Sequence, residues 1–63
     1  MIYLNSSAIV GVDYDFWSQV MTIQFTSGGV YDFHGVPASV FHGLVNAPSP
    51  GRYYNHFVRG RYR

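Results

Sequence analysis

The side chains able to hold charge or move protons are few and unevenly placed. There are three aspartates, three histidines and four arginines in 63 residues, with no lysine, glutamate or cysteine. Asp13, Asp15 and Asp32 precede every base, whereas Arg52, Arg59, Arg61 and Arg63 fall in the last twelve residues, so a net charge of +1 divides into −3 and +4. A basic set made only of arginine favours planar, bidentate or stacked contacts with phosphate, carboxylate or aromatic faces. The triplet Gly-Arg-Tyr occurs twice, as Gly51-Arg52-Tyr53 and Gly60-Arg61-Tyr62. Guanidinium groups pair with phosphates and tyrosine rings stack on unpaired bases, so this segment has nucleic-acid chemistry. The residues that would carry it are Arg52, Arg59, Arg61 and Tyr62, with Gly51 letting a phosphate approach the first backbone N–H groups of a helix. The plainer role of the same arginines is to keep an apolar chain in solution or to neutralise the aspartates.

Other constellations carry less. Phe16-Trp17 is an aromatic pair on a short connector, and it either folds back over the open end of the core or stands out as an anchor for a protein partner or an identical subunit. His34, His42 and His56 lie on three different elements with no HExxH-like spacing and no cysteine nearby, so no metal site is expected. A proton relay of Asp13, Thr22 and His34 can be drawn on one sheet face, yet no nucleophile motif accompanies it, and no enzymatic activity or cofactor is expected.

Composition bounds what can hold these residues. The chain is long enough for a single domain, residues 1–63, and at this size only roughly 60% of the unfolded surface is buried. Hydrophobic residues are 48% and charged residues 11%, against about 25% charged in an average globular chain, which excludes disorder and implies an unusually apolar exterior. Without cysteine neither a disulfide nor a thiolate zinc site can staple the fold. No apolar run approaches the ~20 residues that span a bilayer, and the first residues lack a signal-peptide pattern, so the expectation is a cytoplasmic protein with no membrane contact.

Period-two alternation predicts three strands, at 8–15, 20–26 and 30–36. For the first hairpin, pairing Tyr14 with Met21, Val12 with Ile23 and Val10 with Phe25 puts apolar residues on one face. Its connector lacks glycine, asparagine and proline, so a wide loop exposing part of Phe16 and Trp17 is expected. For the second, a three-residue loop Ser27-Gly28-Gly29 pairs Phe25 with Tyr31 and Ile23 with Phe33, whereas a two-residue loop would bury Asp32 against Ile23. The open face then carries Asp13, Thr22 and His34 on one rung and Gly11, Gln24 and Asp32 on the next. Pro37 opens a helix with Val40, Phe41, Leu44 and Val45 inward, ending at Asn46. Ser49 caps a second helix that starts at Pro50, runs to about Arg59 and stops at Gly60, with Tyr53, Tyr54, Phe57 and Val58 inward and Arg52, His56 and Arg59 on one outer face. The expected fold is α+β: a three-stranded antiparallel meander covered on one face by two short C-terminal helices, β-β-β-α-α.

Nearly the whole chain resembles the KTSC domain, a small module at the C-terminus of some lysyl-tRNA synthetases that also occurs free-standing in bacteria and phages. The resemblance lies in Ser6-Ser7, Tyr31-Asp32-Phe33, Gly35-Val36-Pro37, Ser49-Pro50-Gly51-Arg52-Tyr53-Tyr54-Asn55 and Val58-Arg59-Gly60-Arg61-Tyr62. Two positions depart from the family pattern: Phe33 stands where tyrosine is usual, and Phe16-Trp17 replaces polar turn residues. For function the resemblance implies only a suggested affinity for RNA. Two readings therefore stand. One is a non-enzymatic module for RNA or single-stranded nucleic acid. The other is a protein-interaction module, a phage or bacterial adaptor or inhibitor, docking through Phe16 and Trp17 and in one version a homodimer. The low net charge favours the second.

Overall fold

Alternation of apolar and polar residues builds an antiparallel sheet with one covered and one open face. The computed structural model describes residues 1–62; Arg63, the last of the cationic tail, lies outside the described residues. Its elements are β1 (Ile2–Tyr3), β2 (Ile9–Asp15), β3 (Val20–Phe25), β4 (Val30–Phe33), α1 (Ala38–Asn46) and α2 (Pro50–Phe57). The sheet has four strands in the order β1-β2-β3-β4, one more than the three-stranded meander expected. The additional strand is two residues long, Ile2 opposite Val12 and Tyr3 opposite Gly11. So short a strand has no periodicity of its own; it exists because β2 offers an unpaired edge.

Both hairpins form as expected, but their registers are corrected in detail, and at the start of β2 the inward face passes from Val10 to Ile9. In the first, Tyr14 pairs with Met21 and Val12 with Ile23, but Ile9, not Val10, lies opposite Phe25 across a bulge between Ile9 and Gly11. The bulge lets two residues oppose one and turns Ile9 into the core, where it is fully buried. In the second, Ile23 pairs with Tyr31 and Met21 with Phe33. The loop has three residues, as expected, but it is Thr26-Ser27-Gly28: Phe25 and Gly29 close it with a backbone hydrogen bond of 2.8 Å. Gly28 takes the left-handed conformation at φ 107°, and the Tyr31 ring lies over Gly29, 2.5 Å from where a Cβ would stand. Moving the loop by one residue shifts the pairing by two, so Tyr31 and Phe33 stay on the face of Ile23 and Met21. Phe33 is buried there, whereas Tyr31, expected inward, is 58% exposed at the sheet edge. The open-face rung becomes Asp13, Thr22 and Asp32. His34 follows the end of β4, so the drawn relay of Asp13, Thr22 and His34 has no common rung.

The two helices cover the apolar face. Pro37 precedes α1 as its N-cap residue, and Phe41 and Leu44 are buried. Ile9, Val12, Met21, Ile23, Phe33, Val36, Phe41, Leu44 and Val58 make one continuous core, each side chain contributing roughly 1.5–3 kcal/mol by leaving water. Val36 closes it through its backbone: its N–H donates to the Gln19 carbonyl at 2.9 Å and its carbonyl accepts from the Tyr14 hydroxyl. Ser6, of the Ser6-Ser7 pair, accepts the Ala8 and Ile9 N–H groups at 3.1 and 3.3 Å and so starts β2.

Candidate nucleic-acid interface

Helix α2 positions the cationic end, and its sequence explains how. The Ser49 hydroxyl accepts the Arg52 N–H at 3.4 Å, and Pro50, buried at the first position, needs no partner for an N–H it lacks. Gly51 is half-buried, and a Cβ there would lie 3.0 Å from the Ala8 Cβ. Its missing side chain therefore brings α2 close to the start of β2, not to an open surface. Two residues earlier than expected, α2 ends at Phe57: the Val58 and Arg59 N–H groups both donate to the Tyr54 carbonyl, at 3.0 and 2.9 Å. Gly60 then turns the chain at φ 76°, and the Arg61 N–H donates to the Val58 carbonyl.

Arg52, Arg59 and Arg61 all stay exposed after this turn. Tyr62 does not stand beside them; it packs half-buried against the core. Of the expected inward stripe, Val58 is fully buried and Tyr53 and Tyr54 pack on the core, Tyr54 against Phe25 and Phe33 with ring centroids 5.0 and 5.9 Å apart. Phe57 departs from that expectation. It is 52% exposed and lies on Tyr53 at 4.7 Å, on the side of α2 that faces Ala47, Pro48 and Ser49 of the α1–α2 connection and not the sheet. Pro48, Tyr53 and Phe57 wall an apolar groove of about 300 Å3, with Arg52 and His56 at its rim. Sequence reasoning missed this groove; its only signal was Tyr53 and Phe57 four apart beside the prolines.

The carboxylates lie on the other side of the sheet. Asp13, Asp15, Thr22, Asp32 and His34 line an open concavity of about 470 Å3, and Thr22 Oγ1 donates to Asp32 at 2.6 Å. Among the described residues one ion pair forms, between the N-terminal ammonium and Asp13 at 3.3 Å, and none joins an arginine to an aspartate. Asp15 is held below the usual carboxylate range, first by accepting the Trp17 N–H at 2.9 Å and then by the Ser18 hydroxyl. The histidines do not converge: among the described residues no group of three or more histidine or carboxylate side chains could hold a metal ion. Nor is any helix among them long and apolar enough to cross a membrane.

The aromatic pair on the β2–β3 connector divides. Phe16 folds back edge-on to Tyr14 at 4.7 Å and to Phe41 at 5.9 Å, although 61% exposed, whereas Trp17 is 97% exposed.

Comparison with known proteins agrees with this geometry. The family model described as the KTSC domain matches residues 5–62. The chain is 42% identical over 59 residues to a lysine-tRNA ligase of Nostoc punctiforme, covering 94% of this chain and 10% of that protein. It is also 40% identical over 60 residues to a small protein of Tsukamurella paurometabola, covering 95% of this chain and 90% of that one. The chain thus spans about a tenth of the ligase it matches but nearly all of the small relative. A crystal structure of a KTSC domain protein from Yersinia pestis superposes with a TM-score of 0.94 at 30% identity, covering 97% of this chain and 86% of that chain.

Proposed function

The chain belongs to the KTSC domain family, and from that membership together with its exposed arginines we propose that it is a non-catalytic module binding RNA or another single-stranded nucleic acid through the α2 end. One observation carries the reading: Arg52, Arg59 and Arg61 are exposed, and the three aspartates all line the opposite sheet face. Among the described residues no aspartate side chain lies at α2 to compete with an approaching anion. Relatives whose name joins lysine to tRNA contain this module as a tenth of their length, which favours RNA. Within the site the arginines meet phosphates, while Gly51 and Tyr62 support the fold of the segment from beneath. Three phosphate contacts on a single strand give a slope of log affinity against log salt of about −2. Titration of a labelled oligonucleotide at several salt concentrations tests this. The double change Arg59→Ala, Arg61→Ala should flatten the slope to roughly −0.7; an unchanged slope, or no binding at low salt, removes the proposal.

A second reading rests on Trp17. A 97% exposed indole on a connector pinned by Asp15 is a preorganised anchor for a protein partner or a second copy of the chain. Its mark would be self-association or capture that is insensitive to salt and lost in Trp17→Ala.

A further inference from the structure

The groove beside α2 has properties that the arginines alone do not require. It is walled by Pro48, Tyr53 and Phe57, and the Phe57 ring is 52% exposed although Tyr53 and Tyr54 of the same helix pack on the core. The Tyr53 and Phe57 rings meet at 4.7 Å with 36° between their planes, so together they form a slanted platform and not an edge-to-face lock. At about 300 Å3 the groove is at the small end of ligand sites, the right scale for one ring system and too small for a helix. Its rim holds Arg52 and His56 and no carboxylate. The ligand that complements an apolar, aromatic floor and a guanidinium rim is a flat ring carrying an anion.

We infer that this groove receives one unpaired base of a single strand, stacked on Phe57 and Tyr53, while Arg52 holds the adjoining phosphate. This rests on the proposed binding function and adds to it a base subsite on Phe57 where Tyr62, half-buried, offers none. Bases in a duplex are already stacked and paired, so the subsite selects unpaired strands. An aromatic residue of an acidic peptide would satisfy the groove and Arg52. Two further exposed arginines, Arg59 and Arg61, follow α2 in the chain, however, which suits a ligand with repeating phosphates.

The experiment compares a fluorescein-labelled decamer of oligouridylate with an abasic strand of the same length, by anisotropy at low salt. The full chain should bind oligouridylate about tenfold more tightly than the abasic strand, the scale of one base on an aromatic platform. Phe57→Ala should abolish that preference by weakening oligouridylate alone, Phe57→Tyr should keep it, and Arg52→Ala should weaken both strands. Equal affinity for the two strands overturns the base subsite and leaves the phosphate reading standing; no binding of either overturns both. Tighter binding of an acidic tryptophan peptide than of oligouridylate overturns it in favour of a protein ligand. Trp17-dependent self-association that Phe57→Ala abolishes overturns it in favour of a second copy seated in the groove.

Discussion

Single residues hold the β2–β3 connector in its shape at an identifiable cost. Gln19 adopts φ 57°, the left-handed region, while its carbonyl accepts the Val36 N–H and its own N–H donates to the Asp15 carbonyl at 2.8 Å. A side chain there costs about 1–2 kcal/mol, against the 0.5–1 kcal/mol that glycine loses in backbone entropy. Gln19→Gly should therefore stabilise the domain by about 0.5–1 kcal/mol, seen as a rise of several degrees in Tm; a fall in Tm contradicts the strain. Asp15, beside it, titrates below its ordinary value because the charged form accepts the Trp17 N–H. A carboxyl whose folded pKa is depressed stabilises the folded connector above the unfolded pKa, near 3.8 for aspartate. That contribution is lost as pH falls through the lower, folded value. The Trp17 amide shift, followed by NMR, should consequently have its midpoint below 3.8; a midpoint at or above it means that the bond does not form in solution. Trp17 was legible as an exposed residue because the connector has no residue suited to a tight turn. Its separation from Phe16 was not, since it depends on Tyr14 and Phe41 converging from distant positions.

Between elements, α1 meets α2 closely where Gly43 faces Tyr53. A Cβ on Gly43 would overlap the Tyr53 hydroxyl and ring. Alanine gains about 1 kcal/mol of helix propensity over glycine, but forcing a packed ring aside typically costs 1–3 kcal/mol. Gly43→Ala should give a net loss of up to about 2 kcal/mol by chemical denaturation. It should also disturb the oligonucleotide site, because Tyr53 is a wall of the groove. Unchanged stability with unchanged binding would mean that Tyr53 is free to move. The α2 boundary was partly readable: Ser49 and Pro50 announce the start, and Gly60 the reversal. The end at Phe57 was not, because it is set by the Tyr54 carbonyl accepting two N–H groups, a local competition that period-3.6 spacing does not encode.

For the molecule as a whole, the sheet separates the two signs of charge. The aspartates occupy its open face, and among the described residues the arginines lie on or just after α2, in a body 28 by 21 by 21 Å. Packed layers lie about 10 Å apart, more than the Debye length of about 8 Å at physiological ionic strength. Asp32→Asn should accordingly leave oligonucleotide affinity unchanged within about twofold at 0.15 M salt. At 0.01 M, where screening extends to about 30 Å, it should raise affinity severalfold. A strong effect at 0.15 M would place Asp32 at the bound strand and contradict the charge layout.

What the sequence alone determined is what neighbours along the chain govern: which residues alternate, and where prolines and glycines punctuate. Hence the α+β class, both helices and the exposed arginines were readable, and the pairing faces of β3 and β4 survived the error of register in their hairpin because a slip of two preserves parity. The tertiary structure decided what depends on distant partners. A two-residue β1 forms only against the edge of β2, and the bulge at Ile9 and Gly11 shifts only the far end of that pairing. Gly51 is a glycine because Ala8 lies against it, and Phe57 rather than Tyr62 stands open beside Arg52. In each case the deciding energy is a contact between residues far apart in the chain, which local pattern does not contain.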